Sequence, residues 1–437
     1  MFSGMIEPAA VGLMPNVTCP HCWHKFEPHQ VLWVSAHPSL MRGDPRLENA
    51  PPRFLPTRFA PHGVAYDQFG YACAQLACPR CHLVLPRLAL ERPPFFVSIV
   101  GAPGCGKSYF LASMTWMLRQ RLPRWFDLDF TDTDAAMNVP LARMEQNLFG
   151  NAISDRLIPL ANLVAKTAER GDPYHTVQFD GNSVELPKPY AFTIRPRLSP
   201  HDGDPDPSRI LYLYDNAGES FLPGMESTLR PVTRHLAESR LLMFLFDPTQ
   251  HRKCRREIAA LGDVATDYRA EAELPRQDLV ITEAGNRVRR YAGLTASEKH
   301  KQPVVVVVTK MDAWAKLAPQ AAANAAHCVV LSGEKGVLNL DRVDETSSQL
   351  RELLCQHAPE VVAAAEGFAS SVTYIGASAL GAPPRRVTPG GPWGVMPDNL
   401  APAGVEVPLL YGLHRGVRRL IDARRSRPAA ARRTDDT

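Results

Sequence analysis

Gly101 to Ser108 reads Gly-Ala-Pro-Gly-Cys-Gly-Lys-Ser, a GxxxxGK[ST] run directly after the apolar stretch FFVSIV. Chemistry of this kind is phosphate binding. The glycines Gly101, Gly104 and Gly106 let the backbone curl so that its N–H groups face phosphate oxygens. Lys107 would neutralise the β- and γ-phosphates, and Ser108 would ligate Mg²⁺. Cys105 and Tyr109 belong to the same binding stretch, and the helix beginning there adds the positive end of its dipole.

Three further pieces lie downstream, each at the end of an apolar run. ILYLYDNAGES ends a strand on Asp215, where a phosphate-loop protein needs its second Mg²⁺-associated carboxylate. The run Asp215-Asn-Ala-Gly218 is a DxxG, and the Gly218 N–H would sense the γ-phosphate. Glu219 follows directly. It reads equally as a group that orients or deprotonates an attacking water and as a solvent-facing loop residue. PVVVVVTKMD ends on Thr309-Lys310-Met311-Asp312. A carboxylate at Asp312 can accept from both the N1–H and the 2-amino group of guanine, a donor pair that adenine lacks, while Lys310 would lie along the base and brace the loop. In TYIGASALG, Ser378-Ala379-Leu380 would bring a backbone N–H to guanine O6. Lys107, Gly218 and Glu219 are accordingly the candidates for catalysis.

A second chemistry sits near the N-terminus. CPHCWHKF (Cys19, Cys22) and CPRCHLVLP (Cys78, Cys81) are near-identical knuckles, and four thiolates suit tetrahedral Zn²⁺ with no open position, which makes the ion structural. The 55 residues between Cys22 and Cys78 exceed the usual spacing and imply a long insertion, at modest loop-closure cost. A redox CxxC would need a thioredoxin-like βαβ unit, which this stretch lacks. Cys73, His21, His24 and His82 are spare ligands.

These residues need strands to present them. FFVSIV, ILYLY, LLMFLF, PVVVVV and VTYIGA are short, uninterrupted apolar runs separated by helix-like segments, the pattern of a mostly parallel sheet covered on both faces. AFTIRP is a further strand, read as the edge strand beside ILYLY. Helices are expected over SYFLASMTWMLRQRL, LARMEQNLFGNAI and SSQLRELLCQHAPEVVAAA. The fold class is therefore α/β, a doubly wound, mostly parallel sheet preceded by a small zinc-ribbon domain. Its expected divisions are a zinc ribbon with a long insertion over 1–92, a nucleotide-binding domain over 93–382, a Pro/Gly-rich linker over 383–407, a docked helix over 408–427 and a disordered tail over 428–437.

Composition narrows the rest. A net charge of +4 over 437 residues gives no global argument for nucleic acid, and the basic C-terminal run reads as a solvated end. No apolar run approaches the roughly 18 residues of a membrane span, and the first residues lack signal-peptide order, so a cytoplasmic chain with reduced thiols is expected.

Taken as a set, GAPGCGKS, DNAG, TKMD and SAL resemble the motifs of the translation-factor-like (TRAFAC) class of P-loop GTPases, over roughly residues 95–425. The resemblance implies GTP and GDP as ligands, Mg²⁺, slow hydrolysis and a switch role. Thr309 stands where that class usually has Asn. The spacing leaves insertions at about 125–185 and 248–300, and Thr131, Thr133 and Thr176 are candidates for the first switch threonine. Arg230, Arg234 and Arg240 are the nearest candidates for an internal arginine finger, and surface arginine is the plainer reading of each. A zinc ribbon joined to such a domain also resembles bacterial double-GTPase proteins of conflict and defence gene systems, which implies protein partners, another GTPase or an activating protein among them. A nucleotide-binding scaffold with little turnover, working through its zinc ribbon, is the alternative reading.

Overall fold

The computed structural model describes residues 12–40, 42–61, 63–153, 155–164, 174–198, 205–215, 221, 233–262 and 276–425. The expected tail at 428–437 lies outside them.

A seven-stranded sheet carries the structure. Its strands, in chain order, are β1 (Pro94–Gly101), β2 (Leu128–Asp132), β3 (Tyr190–Pro196), β4 (Arg209–Asp215), β5 (Leu241–Phe246), β6 (Val304–Val308) and β7 (Val372–Gly376), in the spatial order β2-β3-β4-β1-β5-β6-β7. The pairs β4–β1, β1–β5, β5–β6 and β6–β7 are parallel, while β3 pairs antiparallel with both β4 and β2. AFTIRP thus pairs with ILYLY as expected. It is not the edge, however, because LDFTD, inside the long insertion after the first helix, adds β2 outside it.

Every residue of LLMFLF and VVVVV is buried, as both-face coverage requires. Alternation along the strands divides them between two cores. Val305 and Val307 join one; Val304, Val306 and Val308 join the other. The first core is closed by α1 (Lys107–Trp125), α2 (Ala135–Phe149) and a C-terminal helix, Val407–Gly416. Over β5 to β7 the second is closed by helices at Gln277–Ala292, Leu340–His357 and Pro359–Phe368. The run SSQLRELLCQHAPEVVAAA is therefore two helices, broken at Ala358–Pro359, since proline has no N–H to continue the ladder.

Over β3, β4 and the start of β1 the same face is closed by the N-terminal four-cysteine segment. Phe96, Ile210, Tyr212 and Tyr214 share a core with Val17, Cys19, Cys22, Trp23, Cys78 and Cys81. A cysteine-rich module stands where a doubly wound sheet would place a helix.

Two expected divisions take a different form. Within 383–407, Arg385–Arg386 pairs with Trp393–Val395, which pairs in turn with Ile158–Pro159, so the stretch is built into the fold. The helix expected over 408–427 ends at Gly416. Arg419, at φ 61°, turns the chain so that Val417, Leu420 and Ile421 pack inward, and Ala423–Arg424 then pairs with Leu338–Asn339.

Candidate nucleotide and zinc sites

The phosphate-loop stretch leaves β1 at Gly101 and enters α1 at Lys107, with Gly106 as the N-cap. Gly104 (φ 73°) and Gly106 (φ 92°) lie in the left-handed region that turns consecutive N–H groups to one side. Gly101 is required for another reason: a Cβ there would lie 2.8 Å from Cys105 Sγ and 3.0 Å from the Leu245 carbonyl. Lys107, nearly buried, donates from Nζ to the carbonyls of Gly101 (2.8 Å) and Ala102 (3.0 Å), which folds its charge over the loop. Ser108 stands in the first turn of α1. Tyr109 points away, donating to the Leu160 carbonyl at 2.7 Å. Backbone turned in this way makes the loop a candidate cradle for an anion.

Beside it, the loops after β5, β6 and β7 meet. Lys310 adopts φ 54° and ψ 44°, a conformation that costs a non-glycine residue about 1 kcal/mol. The ammonium it positions lies 2.6 Å from Asp247 Oδ2 and 3.0 Å from Thr249 Oγ1. Asp247 is fully buried. It accepts from the Thr249 N–H and hydroxyl, while Gln277 clamps its backbone with two hydrogen bonds of 2.9 Å. Gln250, from the same turn, donates to the Gly104 carbonyl at 2.7 Å, so the base side and the phosphate side are joined. None of Asp247, Thr249 and Gln250 was picked out by motif. The available signal was an aspartate ending the apolar run LLMFLF.

Asp312 and Ser378, 66 residues apart, are brought into contact: the Ser378 hydroxyl donates to the Asp312 carboxylate and accepts from the Gly381 N–H. Burial raises the Asp312 pKa, partly opposed by the Ser378 hydrogen bond. Thr309, in place of the asparagine usual in the resembling class, donates its N–H and hydroxyl to the Phe246 carbonyl at 2.8 and 3.0 Å, fastening β6 to β5 instead of reaching the phosphate loop. Ala379 accepts from Ser113 of α1, and Leu380 is held by the Ala401 N–H. A backbone pair between Ser378 and Ala403 adds to this, so the Pro/Gly-rich stretch shapes the base-side loop.

Asp215 ends β4 level with Ile99 of β1, one strand from the phosphate loop. Gly218 and Glu219 lie outside the described residues, as does Arg230. Thr131 sits opposite Thr193 in the outer ladder and Thr133 is bonded to Thr193, while Thr176 belongs to a hairpin formed by Tyr174–Phe179 and Asn182–Pro187. The described contacts join none of the three to the phosphate loop.

In the N-terminal module the Sγ atoms of Cys19, Cys22, Cys78 and Cys81 all lie within 4.8 Å of one another, and the pairs Cys19–Cys81 and Cys22–Cys78 are 3.7 Å apart. A tetrahedron with Zn–S bonds of about 2.3 Å has edges of about 3.8 Å, so the cluster fits zinc closely. Each knuckle turns on a left-handed residue after its second cysteine, Trp23 (φ 55°) and His82 (φ 61°). The amides of His21 and Arg80 point at Cys19 and Cys78 sulfur, both at 3.4 Å. Burial raises the Cys19 and Cys81 thiols, a penalty that a divalent cation removes. The spare candidates are engaged elsewhere: Cys73 with the Tyr71 carbonyl, His82 with Asp44, His21 with the Pro187 carbonyl, and His24 stacked on Phe26.

Hydrogen bonds run from the first cysteine knuckle to the strand that ends at Asp215. Trp23 Nε1 donates to the Tyr214 hydroxyl (3.2 Å), which donates to the Pro20 carbonyl (2.6 Å). Tyr214 directly precedes Asp215. Its ring stacks on His235 at 4.4 Å, and His235 Nδ1 meets the Ser98 hydroxyl of β1.

Strand order and the glycine-shaped turn between β1 and α1 define an α/β protein with a mixed, mostly parallel sheet and a four-cysteine module docked on it. No family profile matches the chain. No curated protein matches it either. Among solved structures it is similar to nucleolar GTP-binding protein 1 of Plasmodium falciparum, at 12% identity and TM-score 0.23, covering 76% of this chain and 91% of that one. It is also similar to an Era variant of Aquifex aeolicus bound to GDP and aluminium fluoride, at 13% identity and TM-score 0.24, covering 76% of this chain and 59% of that one. Scores this low carry no argument about activity. Among the described residues no helix is long and apolar enough to cross a membrane.

Proposed function

We propose that the chain binds GTP and GDP with Mg²⁺, hydrolyses GTP, and acts as a switch read by protein partners. The observation that carries this reading is the meeting of Asp312 and Ser378 beside a phosphate loop that Gln250 and Ser113 tie to the same loops. A carboxylate held there, half-buried, suits the paired donors of guanine. Opening its bond to Ser378 frees one acceptor at the moment the base arrives. Lys107 exchanges two carbonyl partners for phosphate oxygens, and the glycine-shaped backbone supplies the N–H groups. Mg²⁺, held by Ser108 and Asp215, would offset phosphate charge. Gly218 would sense the γ-phosphate, and Glu219 would orient the attacking water.

The zinc-ribbon module is assigned a structural ion and, through Trp23 and Tyr214, a mechanical link to the segment after Asp215. The narrower resemblance to double-GTPase proteins extends the proposal to a partner GTPase or activating protein in a bacterial conflict system. The test is a titration of GTP, GDP and ATP with Mg²⁺ on wild type and Asp312→Asn, with phosphate release followed alongside. Guanine preference lost in the variant, with GTP-dependent release, supports the proposal. Tight guanine binding without release moves the assignment to a nucleotide-binding scaffold. Equal affinity for ATP sinks the guanine assignment.

A further inference from the structure

A cavity of about 410 Å³ lies where the first cysteine knuckle, the tip of the 174–187 hairpin and the chain at Arg234 converge. Arg46, Arg80 and Arg234 line it together with the single carboxylate Asp180. Arg46 and Arg80 both lie over the Phe179 ring, at 4.9 and 5.6 Å, so the ring fixes two guanidinium planes that like charge would otherwise drive apart. Among the described residues no ion pair joins Arg46, Arg80 or Arg234 to a carboxylate. Three cations against one anion leave a net charge of about +2, which matches a phosphate monoester, whose charge is about −1.5 to −2 at neutral pH. Planar guanidinium forks are the side chains best shaped for its oxygens. Behind them Val184, Leu186 and the Trp23 ring form an apolar wall. The volume falls in the range of small-molecule sites.

We propose that this cavity is a second ligand site, separate from the phosphate loop, for a small phosphate monoester carrying an apolar or aromatic group. The ligand would join the knuckle to the hairpin and to Arg234. Trp23, which lines the cavity, is bonded to Tyr214 beside Asp215, so occupancy has a short path to the nucleotide site.

The test uses phenyl phosphate on the full-length zinc-loaded protein, by calorimetry and by the ¹⁵N–¹H signal of the Trp23 indole. Wild type and Lys107→Ala are expected to bind it alike and to shift that signal, because the phosphate loop is not involved. Arg46→Gln/Arg80→Gln, with unchanged melting temperature, is expected to weaken binding at least about tenfold, and Arg80→Lys to weaken it less. Benzenesulfonate, a monoanion of the same shape, is expected to bind more weakly. Loss of binding in Lys107→Ala, full binding in the double variant, or equal affinity for benzenesulfonate each overturns the proposal. None of these outcomes depends on which nucleotide the phosphate loop holds.

Discussion

Asp247 is the residue on which the base side of the proposed nucleotide site turns, because it compensates the ammonium that Lys310 holds over the loops. Asp247→Asn keeps the turn at Thr249 and leaves Lys310 without its charged partner. It is expected to lower stability by about 2 kcal/mol and to weaken nucleotide binding, measured by urea unfolding and by titration. His300 gives a pH dependence of its own. Burial lowers its pKa to about 4, whereas in the unfolded chain it titrates near 6.5. Between those values the unfolded state binds more protons, so stability is fully present above pH 6.5 and is lost as pH falls towards 4. At pH 5 the loss is about 2 kcal/mol relative to pH 8. Urea unfolding at both pH values is expected to show a smaller difference in His300→Gln.

At the scale of elements, β1, the phosphate loop and α1 form one unit, held against β5 at Gly101. Gly101→Ala forces its Cβ onto Cys105 Sγ and the Leu245 carbonyl. The expected result is a folded protein, less stable by about 1–3 kcal/mol, with nucleotide binding reduced at least tenfold. Equal binding by the variant in titration would contradict this placement of the loop. The central strands were legible because apolar runs of β-branched and aromatic residues need cover on both faces. LDFTD was not, since only Leu128 and Phe130 of its five residues are buried and the other three are polar. The ends of the base-side loops were legible as Asp312 and Ser378. Their braces at Asp247, Gln277, Ala401 and Ala403 were not, because a backbone clamp leaves no pattern in side-chain types.

Across the whole molecule, the four-cysteine module is part of the sheet's cover, which cysteine spacing could not reveal. Removing the zinc ion proposed for it should therefore be felt beyond the module. Wild type is expected to hold one zinc per chain, and Cys19→Ser/Cys81→Ser none, by metal analysis. Chelation is expected to lower the melting temperature and to raise the nucleotide Kd, since Tyr214 loses the support of Trp23 and Pro20. A chelated protein with unchanged nucleotide affinity would show the two sites to be independent. The central claim, that Asp312 reads guanine, is tested most directly by competing GTP against xanthosine triphosphate on wild type and Asp312→Asn. Xanthine carries an oxygen where guanine carries the 2-amino group, so the side-chain amide can donate where the carboxylate accepted. Wild type is expected to prefer GTP and the variant the xanthine nucleotide, each by about 10- to 100-fold. An unchanged preference in the variant would contradict the account.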